Sequence, residues 1–213
     1  MTDKIRILQE QLGTIIKGKK EVTDKIIMAV LAKGHVLLED VPGVGKTTTA
    51  LALSRLMGMD FQRIQFTPDV VPSDVTGFTM YQKETGTFVY RPGVVMCNFL
   101  LADEINRTSS KTQAALLEVM EEGRVTVDGE THEVPKPFVV LATENPVGSS
   151  GTQMLPESQL DRFMVSLSMG YPDHESLVEI LRDRQDTNPL DHAETVVHKE
   201  ELLKLQEQVQ KVY

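Results

Sequence analysis

The chain has 213 residues, no tryptophan and a single cysteine, Cys97, so no internal disulfide can form. Cys97 stands at the head of an apolar run, where buried packing is the expected role for a lone thiol. Positive charge is also scarce. Against 31 acidic residues there are 22 Lys and Arg, a formal charge of −9. That balance argues against non-specific nucleic-acid binding, because a phosphate backbone needs a basic surface to displace its counterions. Apolar runs are short: none approaches the ~20 residues that span a membrane. The opening MTDKIRILQEQL is charged and amphipathic, unlike a signal peptide, and a cytoplasmic location is expected. His35, His132, His174, His192 and His198 share no ligand-like spacing with one another or with Cys97, which reads as surface and loop histidines rather than a metal centre.

What is present suffices for a core. Hydrophobic residues make up 40%, and with 14 glycines the composition is that of an ordinary globular chain, one domain with a remainder. The most informative stretch is VLLEDVPGVGKTT, Val36 to Thr48. An apolar run closes on a glycine-rich turn with Lys-Thr, followed by the helix-compatible TTTALALSRLM. Gly43 and Gly45 let successive backbone N–H groups curl toward an anion, and the positive end of the following helix adds to the attraction. Lys46 would reach the outer phosphates of a nucleotide and Thr47 would offer its hydroxyl to a magnesium ion. One position departs from the G-x-x-x-x-G-K-[ST] pattern: Asp40 stands where the first glycine is expected.

Apolar runs recur near Val36, Phe61, Cys97, Phe138 and Phe163, with helical patterns at Lys4 to Leu12, Val22 to Leu31, Thr47 to Met57 and Lys111 to Glu121. Strands alternating with helices predict an α/β fold with a five-stranded parallel sheet. GFTMYQKETGTFVYRPG and RVTVDGETHEV alternate around Glu84-Thr85-Gly86 and Asp128-Gly129, and both read as β-hairpin inserts. Residues 1–171 form the expected core. From 172 to 213 the chain is charged and helix-compatible, with a loop expected at Thr187-Asn188-Pro189, as in the start of a helical lid.

CNFLLADEINR ends a buried strand in two adjacent carboxylates. Asp103 suits the magnesium shell, and Glu104, pointing another way, suits the polarisation of a water beside the terminal phosphate. FVVLATENP is a second apolar strand with a polar end, so Asn145, or its neighbour Thr143, is a candidate for orienting that water. In LPESQLDRF, Arg162 is expected on a short helix before the fifth strand. It either neutralises transition-state charge in a neighbouring subunit or pairs locally with Asp161 or Glu157.

Taken in order, VPGVGKT, QFTPDVVPSDVTG, FVYRPG, LLADEINR, VTVDGET, ATENP and LPESQLDRFM resemble the MoxR family of AAA+ ATPases, from about Ile15 through Asp173. The resemblance implies an AAA+ P-loop NTPase core with a partial all-α lid. It implies Mg-dependent ATP hydrolysis that drives chaperone-like remodelling of client proteins. It implies a ring of identical subunits, usually a hexamer, and partners with a von Willebrand factor A domain. It assigns Pro42, Gly43, Val44, Gly45, Lys46, Thr47 and Thr48 to ATP, Thr47 and Asp103 to Mg2+, and Ile16 and Gly18 to the adenine side. Glu104, Lys46, Asn145 as γ-phosphate sensor and Arg162 as trans finger become the catalytic set. Lys17 and Lys19 depart from the residues usual in the family. Arg182 and Arg184 lie too early for the lid's second sensor arginine, which makes the chain look truncated. Three other readings compete: a small-molecule phosphotransferase, a nucleic-acid motor of the same clade, and a fragment that binds nucleotide without turnover.

Overall fold

The computed structural model describes residues 2–39, 43–145, 155–186 and 189–212. Two helices, α1 (Thr2–Ile15) and α2 (Lys20–Leu31), precede β1 (Val36–Glu39). Leu8 and Leu12, four apart on one face of α1, are buried with Ile16 against Ile26, Ile27 and Val30. Helix α3 (Lys46–Leu56) leads to β2 (Phe61–Gln65), and the short α4 (Pro72–Thr76) to the hairpin β3 (Gly77–Gln82) and β4 (Thr87–Pro92). β5 (Phe99–Asp103), a 3-10 turn at Ile105–Arg107 and α5 (Ser110–Glu122) follow, then the hairpin β6 (Arg124–Val127) and β7 (Glu130–Glu133). The chain continues through β8 (Val139–Glu144), α6 (Glu157–Leu160), β9 (Val165–Leu167), α7 (His174–Asp186) and α8 (Lys199–Val209).

Five parallel strands form the main sheet in the order β2-β5-β8-β1-β9. Helices cover both faces, so the central strands read as near-continuous apolar runs. Alternation divides those runs. Val36, Leu38, Phe99, Leu101, Val139 and Leu141 join one buried cluster with α1, α2 and α3, whereas Leu37, Leu100, Ala102, Val140 and Ala142 join a second with α5. Asp103 and Thr143 extend the first parity, which carries them to the α3 side at the C-terminal strand ends. Cys97 precedes β5 rather than heading it; it is buried, and burial pushes its thiol up to about 12.

Both inserts are antiparallel hairpins. They touch through Tyr90 and His132, whose rings stack with centroids 3.8 Å apart. Gly77 closes the base of the first hairpin at φ 91°, where a Cβ would stand 2.3 Å from the Arg91 carbonyl oxygen. Beyond residue 171, Leu190, Val197, Leu202 and Leu205 belong to the same buried cluster as α1, α2 and α3. Gln206 Nε2 donates to the Val30 carbonyl at 2.8 Å.

His35 corrects the expectation of surface histidines. It is 8% exposed, between α5 and β8. The Val140 N–H donates to Nδ1 at 3.0 Å, which leaves Nε2 to donate to the Met120 carbonyl at 3.1 Å. Both contacts require the neutral ring, and burial lowers its pKa. The reason is positional: His35 immediately precedes β1, and its ring joins a backbone N–H of β8 to a carbonyl in the last turn of α5.

Candidate active site

The loop after β1 turns through Gly43 at φ 90° and Gly45 at φ 96°, and α3 begins at Lys46. A Cβ at either glycine would meet no atom within 4 Å, so backbone conformation rather than crowding calls for glycine there. Lys46 is 8% exposed at the first position of the helix. Pro42, with Asp40, lies outside the described residues.

Opposite this loop, β5 and β8 deliver their polar ends. Thr143 is fully buried, and its hydroxyl donates to Asp103 Oδ1 at 2.6 Å while accepting the Glu104 N–H at 2.9 Å. Glu104 sits in the left-handed region at φ 56°, ψ 50°, a conformation that a non-glycine residue keeps only when its surroundings hold it. Although strand alternation would send the two acids apart, this turn brings both into one cleft. Asn145 Nδ2 donates to Glu104 Oε1 at 2.9 Å, and Arg107 Nη1 donates to Oε2 at 2.6 Å. Asn106 Nδ2 in turn holds the Asn145 carbonyl at 3.1 Å.

The resulting cleft, about 410 Å³, is lined by Gly43, Gly45, Lys46, Thr47, Thr48, Arg63, Gln65, Asp103, Glu104 and Asn145. Beside it, a small apolar cavity of about 70 Å³ lies between the α1–α2 turn and the start of α7, lined by Ile15, Ile16, Val44, Thr48, Pro172 and Ile180 among others. Gly18 lines neither. It packs against Ser176, where an added Cβ would stand 2.3 Å from Oγ, while Lys19 Nζ donates to the Tyr171 carbonyl at 2.6 Å.

Arg162 lies beyond α6, not on it: the helix ends at Leu160, and the Met164 N–H donates to the His35 carbonyl at 2.9 Å, drawing the chain toward β9. Its partner is neither Asp161 nor Glu157. Arg162 Nε pairs with Glu121 Oε2 at 2.8 Å, because α5 runs past this turn and offers its last acidic positions. Arg162 lines a surface cavity of about 670 Å³ that contains no residue of the loop.

Arg63, Gln65 and Arg107 were not singled out by the sequence reading. For Arg63 and Gln65 a signal existed: in FQRIQ they fall on one side of a strand that ends beside the acidic pair. Arg107 follows Glu104 by three residues, and only the tight turn after β5 brings the two together.

Residues 35–165 match the ATPase family associated with various cellular activities (AAA). The uncharacterized protein YeaC of Bacillus subtilis is 53% identical over 203 residues, covering 95% of this chain and 63% of that protein. Chaperone MoxR1 of Mycobacterium tuberculosis is 45% identical over 197 residues, covering 92% of this chain and 52% of that one. A crystal structure of a candidate ATPase from Cytophaga hutchinsonii superimposes with a TM-score of 0.89 at 40% identity, over 99% of this chain and 64% of its own. The chain thus spans between about half and two thirds of the length of these relatives.

Proposed function

Because this chain belongs to the AAA family of ATPases, in its MoxR branch, we propose that it binds magnesium–ATP in the cleft and hydrolyses the β–γ phosphoanhydride bond. The observation that carries this reading is the hydrogen-bonded run Asp103–Thr143–Glu104–Asn145, facing the glycine loop across one cleft.

The loop N–H groups and Lys46 take the phosphates. The Thr47 hydroxyl and the Asp103 carboxylate are the hard oxygen donors that suit magnesium, and they would hold it; the ion would neutralise phosphate charge. Glu104 accepts a proton from the water that attacks the γ-phosphorus, as the bond from that phosphorus to the bridging oxygen breaks and ADP leaves. Asn145, bonded to Glu104, fixes the carboxylate and registers the terminal phosphate. Ile16, Val44 and Pro172 give the adenine ring an apolar wall. Pro42 and Gly18 complete the loop and the adenine-side turn in this reading.

The subunits work as a ring, a hexamer, in the cytoplasm. Arg162 reaches the neighbour's nucleotide, a role supported by its place on a surface cavity separate from its own cleft. Residues 172–213 begin a lid. Turnover drives chaperone-like remodelling of a client protein, with a von Willebrand factor A domain partner, and the charge of −9 leaves nucleic acid aside.

Glu104→Gln tests the chemistry. It should retain ATP affinity while magnesium-dependent phosphate release falls by about 10² or more. Undiminished release would remove Glu104 from the reaction.

A further inference from the structure

Asp103 has both carboxylate oxygens engaged. Oδ1 accepts the Thr143 hydroxyl, and Oδ2 accepts Arg63 Nη2 at 2.7 Å. The second bond comes from β2. Gln65 stands directly opposite Asp103 in the parallel β2–β5 register, so Arg63, two residues back on the same side, reaches forward to the acid. On the way the same Nη2 donates to Gln65 Oε1 at 3.1 Å. Arg63 and Gln65 both line the nucleotide cleft.

The two partners differ in freedom. The Asp103 side chain is 13% exposed and fixed by Thr143; that of Arg63 is 46% exposed on a long flexible stem. Only the guanidinium end of the pair is half-exposed, so it can return to water at small cost once another cation takes its place on the carboxylate. A divalent cation on the same oxygen would be repelled by a guanidinium at hydrogen-bonding distance.

We propose that Arg63 is an exchangeable counter-ion for Asp103: it competes with magnesium for Oδ2 and gives way when the magnesium–nucleotide complex enters, so that it sets how strongly nucleotide affinity depends on magnesium. This rests on the reading of Asp103 as the acid beside the ion. Arg63 is then a positioning residue. It keeps the carboxylate aimed, and Gln65 is the perch that holds the guanidinium over it.

The test is equilibrium binding of a fluorescent ADP analogue to the full chain, in excess magnesium and in excess EDTA. Losing a positive charge would by itself weaken binding of the more highly charged free ADP and so raise the ratio of the two dissociation constants. The deciding quantity is therefore the dissociation constant in magnesium, which competition predicts to tighten and which neither that charge loss nor a purely structural salt bridge would tighten. Arg63→Met should raise the magnesium dependence about three- to tenfold over wild type, chiefly by tightening binding in magnesium. Unchanged binding in magnesium would overturn the proposal, as would weakened binding, which would make Arg63 a phosphate ligand instead. Gln65→Leu, which loosens the guanidinium without removing it, should shift the ratio the same way by less, and it decides the matter if Arg63→Met does not fold. Asp103→Asn separates the underlying reading: the ratio should fall toward one. If Asp103→Asn keeps the wild-type ratio, Asp103 is not beside the ion and the competition falls with it. If it loses the dependence while Arg63→Met matches wild type, only the Arg63 proposal fails.

Discussion

The Thr143 hydroxyl donates to Asp103 Oδ1 at 2.6 Å, in a place where no part of Thr143 is exposed to solvent. The Thr143 hydroxyl oxygen also accepts the Glu104 N–H, so one buried side chain holds both acids of the cleft. Thr143→Val keeps the shape and removes both bonds. We expect a loss of about 1–3 kcal/mol in urea unfolding and a turnover lower by about 10- to 100-fold, with Thr143→Ser recovering most of each. Wild-type phosphate release by the valine variant would show that the hydroxyl does not organise the acids.

Arg162 offers a test of shared sites. Its pair with Glu121 is largely exposed, so Arg162→Ala should cost at most about 1 kcal/mol of stability. Turnover should fall by about 10³. Mixing Arg162→Ala subunits with Glu104→Gln subunits should restore activity, because each inactive partner supplies what the other lacks. A mixture as inactive as its components would eliminate the trans role.

His35 makes stability depend on pH in a definite direction. Its pKa is lowered in the folded state, first by burial, so below about 6.5 the unfolded chain binds the proton that the folded chain refuses. The stabilisation is fully present above that pH and is lost as pH falls through the window beneath it. His35→Gln should cost about 1–3 kcal/mol at neutral pH, and the gap to wild type should narrow on acidification. Parallel pH profiles for the two proteins would contradict the assignment.

Glu144 works the other way. It lies opposite Glu39 in the β1–β8 register, and burial, followed by that neighbouring charge, raises its pKa to about 7. Between its ordinary value and about 7 the folded chain holds a proton that the unfolded chain has lost. Stability from this group therefore falls as pH rises through that range. After allowance for partial exposure, Glu144→Gln should gain on the order of 1 kcal/mol at about pH 8 and nothing near pH 4.5, read from thermal unfolding. A variant less stable than wild type at alkaline pH would show that the ionised carboxylate is needed.

Much of this was legible in the chain because it is locally encoded. Five apolar runs became five parallel strands, the two alternating segments became hairpins, and the glycine pair became a left-handed turn before α3. Period-two alternation and the freedom of glycine at positive φ depend on neighbours a few residues away, and a sequence displays them directly.

The order of the strands, and what that order brings together, was not legible. Arg63 reaches Asp103 across 40 residues because the sheet places β2 beside β5, and Lys19 reaches the Tyr171 carbonyl across 152 because the fold sets the α1–α2 turn beside the segment before α7. The burial of His35 is hidden from the sequence for the same reason: a histidine beside a strand looks exposed until Met120 and Val140 close around it. Arg162 lay within reach of Asp161 and Glu157 in sequence but pairs with Glu121, because packing of α5 against the sheet sets which charges meet. Side-chain pairing over such separations follows from register and layer packing, which are properties of the assembled core and not of any short stretch of the chain.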